Sequence, residues 1–188
     1  ASVILGTDRP LSDLADRIIS ANAYTGAGAA AAAISDGAQI VVCGRTGDPA
    51  LFLAPLAARF GWNLAEDDAL VAAGLLVGHL LECAGQLTGG YFADGDRKQG
   101  PGLARLGFPF ADVRADGSAT LRKLPGTGGR VDVETVTEQL LYEIDDPAAY
   151  IPPDGTLDLR EVSIDDLGDD AVAIRGVTLV GRPAQLKV

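Results

Sequence analysis

The chain's single histidine, His79, stands with Glu82 and Gln86 in a stretch that is otherwise apolar from Ala69 to Leu87. On a helix advancing 100° per residue these three side chains fall within an arc of about 60°. An imidazole and a desolvated carboxylate on one edge of a buried helix can both titrate near neutrality, so the stripe is a candidate acid/base pair. Cys83 borders it, four residues after His79. A satisfied polar contact between two helices would use the same residues, and that reading stays open. The i, i+3 spacing also occurs among metal ligands, but no second histidine or carboxylate motif completes a set, and no metal is expected. Gly74, Gly78 and Gly85 lie within about 40° of one another on another face, a groove where a backbone or a ligand could approach.

Three further strings carry chemistry. Gly126-Thr127-Gly128-Gly129, flanked by Lys123 and Arg130, is a Gly-rich turn entering a helix, where backbone amides can hold an anion. It lacks the Gly-Lys-Ser/Thr of a nucleotide-hydrolysing loop, and a plain hinge closed by an Asp132 cap fits it equally. Gly26-Ala-Gly28-Ala-Ala-Ala31 matches GxGxxA, with Arg45 where an NADP-reading arginine would stand. The segment before it, Arg17 to Ala23, reads as helix rather than as the buried strand this fingerprint requires. Gly44, Arg45 and Asp48 follow a β-branched run, the place where open α/β sheets bind ligands; a structural Arg45–Asp48 pair capping the next helix is the other reading.

The elements that must position these residues follow from periodicity and punctuation. Pro10 to Asn22 and Gly26 to Ser35 read as helices, the second ending at Asp36-Gly37. Ile40 to Cys43 reads as a buried parallel strand. Asp48-Pro49 opens a helix as N-cap and first-turn proline, which bends near Pro55 and stops at Gly61. A long helix spans 67–87, and a polar, Gly-rich loop spans 88–102. Residues 112–124 form a hairpin around Ala115-Asp116-Gly117, and a helix from Val133 to Ile144 follows. Short strands begin after Gly155. The fold class is α/β, with a parallel-type strand/helix first half and an α+β second half. Residues 1–188 are expected to form one α/β core domain or a fragment of one, with any subdivision near 92–102.

With 188 residues the chain can bury about 70% of its unfolded surface, enough for a true core. The net charge of −11 is local. Residues 132–170 hold 13 acids and one base, whereas 97–130 hold seven bases and two acids. These runs are either two solvated faces, segments that pair with each other, or a basic seat for an anion such as a nucleotide or coenzyme A. Aromatics make up only 5% and do not interleave with the bases, which argues against a nucleic-acid platform. No apolar run reaches the ~20 residues of a membrane helix, and Ala1 to Asp13 has no secretory pattern. Cys43 and Cys83, far apart in apolar surroundings, fit reduced thiols in a cytoplasm. The sequence starts at Ala1 and contains no methionine, so a processed, truncated or fragmentary chain is expected.

Several strings together resemble the acyclic terpene utilisation (AtuA-like) family. They are Ala21-Asn22-Ala-Tyr24-Thr-Gly26, Ile40-Val-Val-Cys-Gly44-Arg45, Phe60-Gly-Trp62, Gly78-His79-Leu-Leu-Glu82-Cys83, Thr88-Gly89-Gly90-Tyr-Phe92, Leu106-Gly-Phe-Pro109, Gly126-Thr127-Gly128-Gly129 and Val136-Thr-Glu-Gln-Leu-Leu-Tyr-Glu-Ile144. The resemblance implies an α/β core domain, longer chains with an upstream α/β part, and breakdown of terpenoids through acyl-CoA intermediates. It implies functional roles for Asn22, Tyr24, Gly44, Arg45, His79, Glu82, Gly89, Gly90 and the 126–129 loop.

The resulting expectation is a cytoplasmic acyl-CoA-handling enzyme or enzyme subunit of acyclic terpenoid or branched-acid catabolism, with hydratase- or lyase-type proton transfer. His79, Glu82 and Arg45 would be catalytic. Asn22, Tyr24, Gly44, Gly89, Gly90, Lys123, Gly126, Thr127, Gly128, Gly129 and Arg130 would bind the ligand. No resident cofactor is expected; a coenzyme A thioester or a free acid would be the substrate, with no nucleic acid and no membrane. A homo-oligomer, or a partner subunit supplying the missing N-terminal part, would complete it. The alternatives are a non-catalytic assembly subunit of an acyl-CoA-metabolising complex and, third, an NADP-dependent oxidoreductase.

Overall fold

The computed structural model describes residues 3, 7–95 and 97–186; Ala1, where the sequence begins, lies outside them. Its order is α1 (Gly28–Ser35), α2 (Ala50–Phe60), α3 (Asp68–Leu81), β1 (Pro109–Val113), β2 (Ala119–Lys123), α4 (Val133–Leu140), β3 (Thr156–Asp158), β4 (Ser163–Gly168), β5 (Ala171–Arg175) and β6 (Thr178–Gly181). Both sheets are antiparallel: a four-stranded one ordered β1-β2-β5-β4 and a two-stranded β3-β6 pair. The mixed α/β class and the hairpin-and-short-strand second half agree with the sequence.

The first half does not contain the expected parallel strand. Residues 40–43 form no ladder, and Ile40 and Val42 are 84% and 91% exposed. Alternation put Val41 and Cys43 against the core as a strand would, but a ladder also needs a neighbouring backbone, and among the described residues the parallel pairing nearby is the single Thr25–Thr46 bridge. Residues 10–22 hold a single short 3-10 helix, Leu11–Arg17, which buries nothing.

Helix ends fall where local chemistry puts them. Gly37 follows α1 with φ +93° and Gly61 ends α2 with φ +71°, left-handed conformations that glycine adopts without steric cost. Asp132 caps α4, accepting from the Thr135 N–H at 3.0 Å while Thr135 Oγ1 reaches back to the Asp132 N–H. α3 is shorter than its apolar pattern: it ends at Leu81, and Ala84 at φ +49° turns the chain away. α3 is buried nearly all round, with Leu75, Leu76 and Leu80 among the largest fully buried side chains, each worth about 1.5–3 kcal/mol of burial. It packs against α2, α4, β1 and β6. The glycine groove on α3 is filled by protein: a Cβ on Gly74 would strike Leu53, and one on Gly78 would meet the Pro49 backbone.

Candidate active site

α3 carries His79 into the interior, where 2% of it remains exposed. Its Nε2 lies 3.1 Å from the Leu140 carbonyl at the end of α4. A carbonyl only accepts, so Nε2 carries a proton. Gln139 fixes the same junction by donating from Nε2 to the His79 carbonyl at 2.9 Å. The other ring nitrogen, Nδ1, is 3.4 Å from Glu82 Oε1, within ion-pair reach but not aligned as a hydrogen bond. The pair thus sets a ring nitrogen without a hydrogen-bond partner beside a carboxylate oxygen.

The Tyr150 ring stands 4.9 Å from the imidazole. Backbone bonds with Leu157, at 3.0 and 2.7 Å, hold it there as an extra rung beside β3. Burial keeps the Tyr150 phenol well above its ordinary range, and the carboxylates of Glu82, Asp48 and Glu143 push it further the same way. Tyr150 is thus a persistent O–H donor. His79, Glu82 and Tyr150 line a cavity of about 360 Å³ together with Tyr24, Asp48, Glu143 and an apolar wall that includes Pro49, Ile151 and Pro152. Asp48 is in that wall because it does not cap α2: Pro49 takes the N-cap position, with no side-chain bond there.

Two strings distant in sequence frame the mouth. Thr25 and Gly47 exchange backbone bonds with Arg45 and Thr25 at 3.1 and 3.0 Å, and Pro153 packs over Gly47. The guanidinium of Arg45 sits 5.5 Å from the Tyr24 ring centre; Arg45 does not line the cavity. Asn22 and Gly44 are exposed and also lie outside it.

The Gly126–Gly129 loop is elsewhere. It precedes the N-terminus of α4, while His79 meets the C-terminus, about 12 Å along the helix. The N–H groups of Thr127, Gly128, Gly129 and Arg130 all donate to backbone carbonyls, those of Leu124, Arg105, Pro101 and Thr88. Lys123 Nζ is 2.8 Å from Asp170 and donates to the Thr127 carbonyl at 3.1 Å. Arg130 pairs with Asp132 and Glu134 and lies over the Phe92 ring. The loop's amides and bases are thus engaged internally, as the hinge reading expects. Together with Lys98–Glu138 these bridges show the basic run pairing with the acidic one.

Gly89 and Gly90 shape the turn leading to Tyr91 and Phe92 beside a second, open cleft that Gln86 also lines, so Gln86 leaves the His79 stripe once α3 stops. The dinucleotide reading loses both of its requirements. Among the described residues no strand precedes α1, and the Asp154 carboxylate occupies the helix N-terminus, accepting from the Ala27 N–H at 2.8 Å.

Sequence reasoning missed Tyr150 and Glu143, whereas Asp48, singled out with Gly44 and Arg45, does line the cavity. The Tyr150-Ile-Pro-Pro-Asp154 string was the available signal, since two prolines beside an aromatic and an acid fix an extended backbone without using donors.

The sequence profile of the acyclic terpene utilisation family protein AtuA matches residues 2–188. The chain belongs to this family. No curated protein and no solved structure matches it. The strings that carry the AtuA resemblance separate in space: Tyr24, His79 and Glu82 meet at the cavity, and the Gly126–Gly129 loop does not. Among the described residues, no helix is long and apolar enough to cross a membrane, and no group of three or more His, Cys, Asp or Glu could hold a metal ion.

Proposed function

We propose that the His79 cavity is a catalytic site for proton transfer on a branched acyl-CoA thioester, in hydratase- or lyase-type chemistry within acyclic terpene utilisation. The observation that carries this is the buried His79–Glu82 pair at 3.4 Å, facing the same cavity as the Tyr150 phenol. His79 and Glu82 would move the proton. Tyr150 would donate to the thioester carbonyl, where negative charge gathers during such reactions. The coenzyme A moiety would leave by the mouth near Tyr24 and Arg45.

The test is turnover of branched enoyl- and 3-hydroxyacyl-CoA thioesters, with binding followed by calorimetry. Glu82→Gln keeps size and hydrogen bonding and should lower turnover about 10²- to 10⁴-fold. No binding by the intact protein, or unchanged turnover in Glu82→Gln and His79→Asn, would end this reading. The exposed pair Ile40 and Val42 favours a second reading, a non-catalytic assembly subunit. Size-exclusion chromatography, in which that subunit would elute as a complex, separates the two.

A further inference from the structure

Three carboxylates, Asp48, Glu82 and Glu143, line the His79 cavity, and among the described residues no lysine or arginine does. Glu82 faces only the imidazole, while Asp48 and Glu143 enter no ion pair among the described residues. The rest of the wall is mostly proline and hydrocarbon, joined by Gln185 and the phenols of Tyr24 and Tyr150. The carboxylates of Glu82, Asp48 and Glu143 all push the Tyr150 phenol upward, as a cluster of negative charge does. A ligand carboxylate entering this space would meet like charge on several sides.

We propose that the cavity selects ligands whose reacting end is uncharged, a thioester or amide carbonyl on a short branched hydrocarbon. Free acids are rejected, and Asp48 and Glu143 are the specificity-determining residues. This deepens the acyl-CoA reading above and rests on it. The hydrocarbon meets Ile151, Pro152 and Leu186, the carbonyl meets Tyr150, and the exposed carboxylates of Asp48 and Glu143 act on what enters.

The experiment compares 3-methylbut-2-enoic acid, its amide and its coenzyme A thioester, measured by calorimetry on the intact chain. Acid and amide are nearly isosteric and differ in charge. The expected result is that the amide and the thioester bind and that the acid is at least about tenfold weaker than the amide. Raising salt should narrow that gap by screening. In Asp48→Asn/Glu143→Gln the acid should come within about threefold of the amide. Melting temperature shows whether that variant is folded; if it is not, the salt titration on the wild-type chain decides alone. An acid that binds the wild type as tightly as the amide, or a gap that salt does not narrow, overturns the selection while leaving the acyl-CoA reading intact. Failure of all three ligands to bind overturns both.

Discussion

Asp154 accepts the Ala27 N–H at 2.8 Å across 127 residues of sequence, and a Cβ on Gly26 would run into its carboxylate. The contact ties the segment carrying Tyr150 to the N-terminus of α1. It also places a carboxylate where a helix end favours negative charge.

Asp154 gives a prediction with a definite sign. Burial raises its pKa above the ordinary aspartate value, outweighing the Ala27 bond. A folded-state pKa above the unfolded one means the folded chain binds that proton more tightly. The residue therefore opposes stability once the pH exceeds its raised pKa, and that opposition fades as the pH falls through the carboxylate range. Asp154→Asn keeps an acceptor for Ala27 and should equal or exceed wild type at pH 7, by about 1 kcal/mol or less. The difference should shrink toward pH 4. Urea titrations at the two pH values measure it, and a variant markedly less stable at pH 7 would contradict the argument.

Gly78 and Gly28 should respond oppositely to alanine. A Cβ at Gly78 would lie 2.5 Å from the Pro49 carbonyl oxygen, and backbone cannot turn aside as a side chain can. Gly78→Ala should cost about 1–3 kcal/mol and raise KM for acyl-CoA, because it moves Asp48 and Pro49. Nothing lies within 4 Å of a Cβ at Gly28, so Gly28→Ala should stabilise α1 by up to about 1 kcal/mol. Thermal melts of both variants check the pair.

Ile40 and Val42 divide the sequence reading from the structure. A buried strand would lose about 2–5 kcal/mol on truncation of such a residue. At 84% and 91% exposure, Ile40→Thr and Val42→Thr should each stay within about 0.5 kcal/mol of wild type. Denaturant midpoints of the isolated chain decide it.

What was legible in the sequence was local. Gly37 and Gly61 end helices, and Asp132 with Thr135 begins one, through chemistry confined to a few consecutive residues. The His79–Glu82 pairing was legible because one helical turn joins them. Ile40–Cys43 was misread because β-branched alternation describes a strand but cannot supply its neighbour. Gln86 was misread because the apolar pattern runs past Ala84, where a positive φ breaks the helix. Tyr150 meets His79 only through the pairing of residue 150 with Leu157 and the packing of α3, contacts that no spacing in the chain encodes.

Lys123 separates a structural loop from an anion site. Its side chain is 4% exposed, and Asp170 and the Thr127 carbonyl take its charge. Asp170 also accepts from the Val131 N–H at 2.9 Å, so the lysine, the loop and the β4–β5 turn form one buried network. Removing the cation leaves a partly buried carboxylate unpaired, at a cost of about 3 kcal/mol. Lys123→Met should therefore lower the denaturant midpoint sharply, while KM for an acyl-CoA thioester stays within about twofold at a temperature where the variant is folded. If the loop instead holds coenzyme A phosphates, the same variant would lose affinity by about tenfold or more, and ligand would protect wild type against unfolding far better than it protects the variant. Calorimetry at low salt, where a phosphate contact is strongest, reads the two outcomes apart.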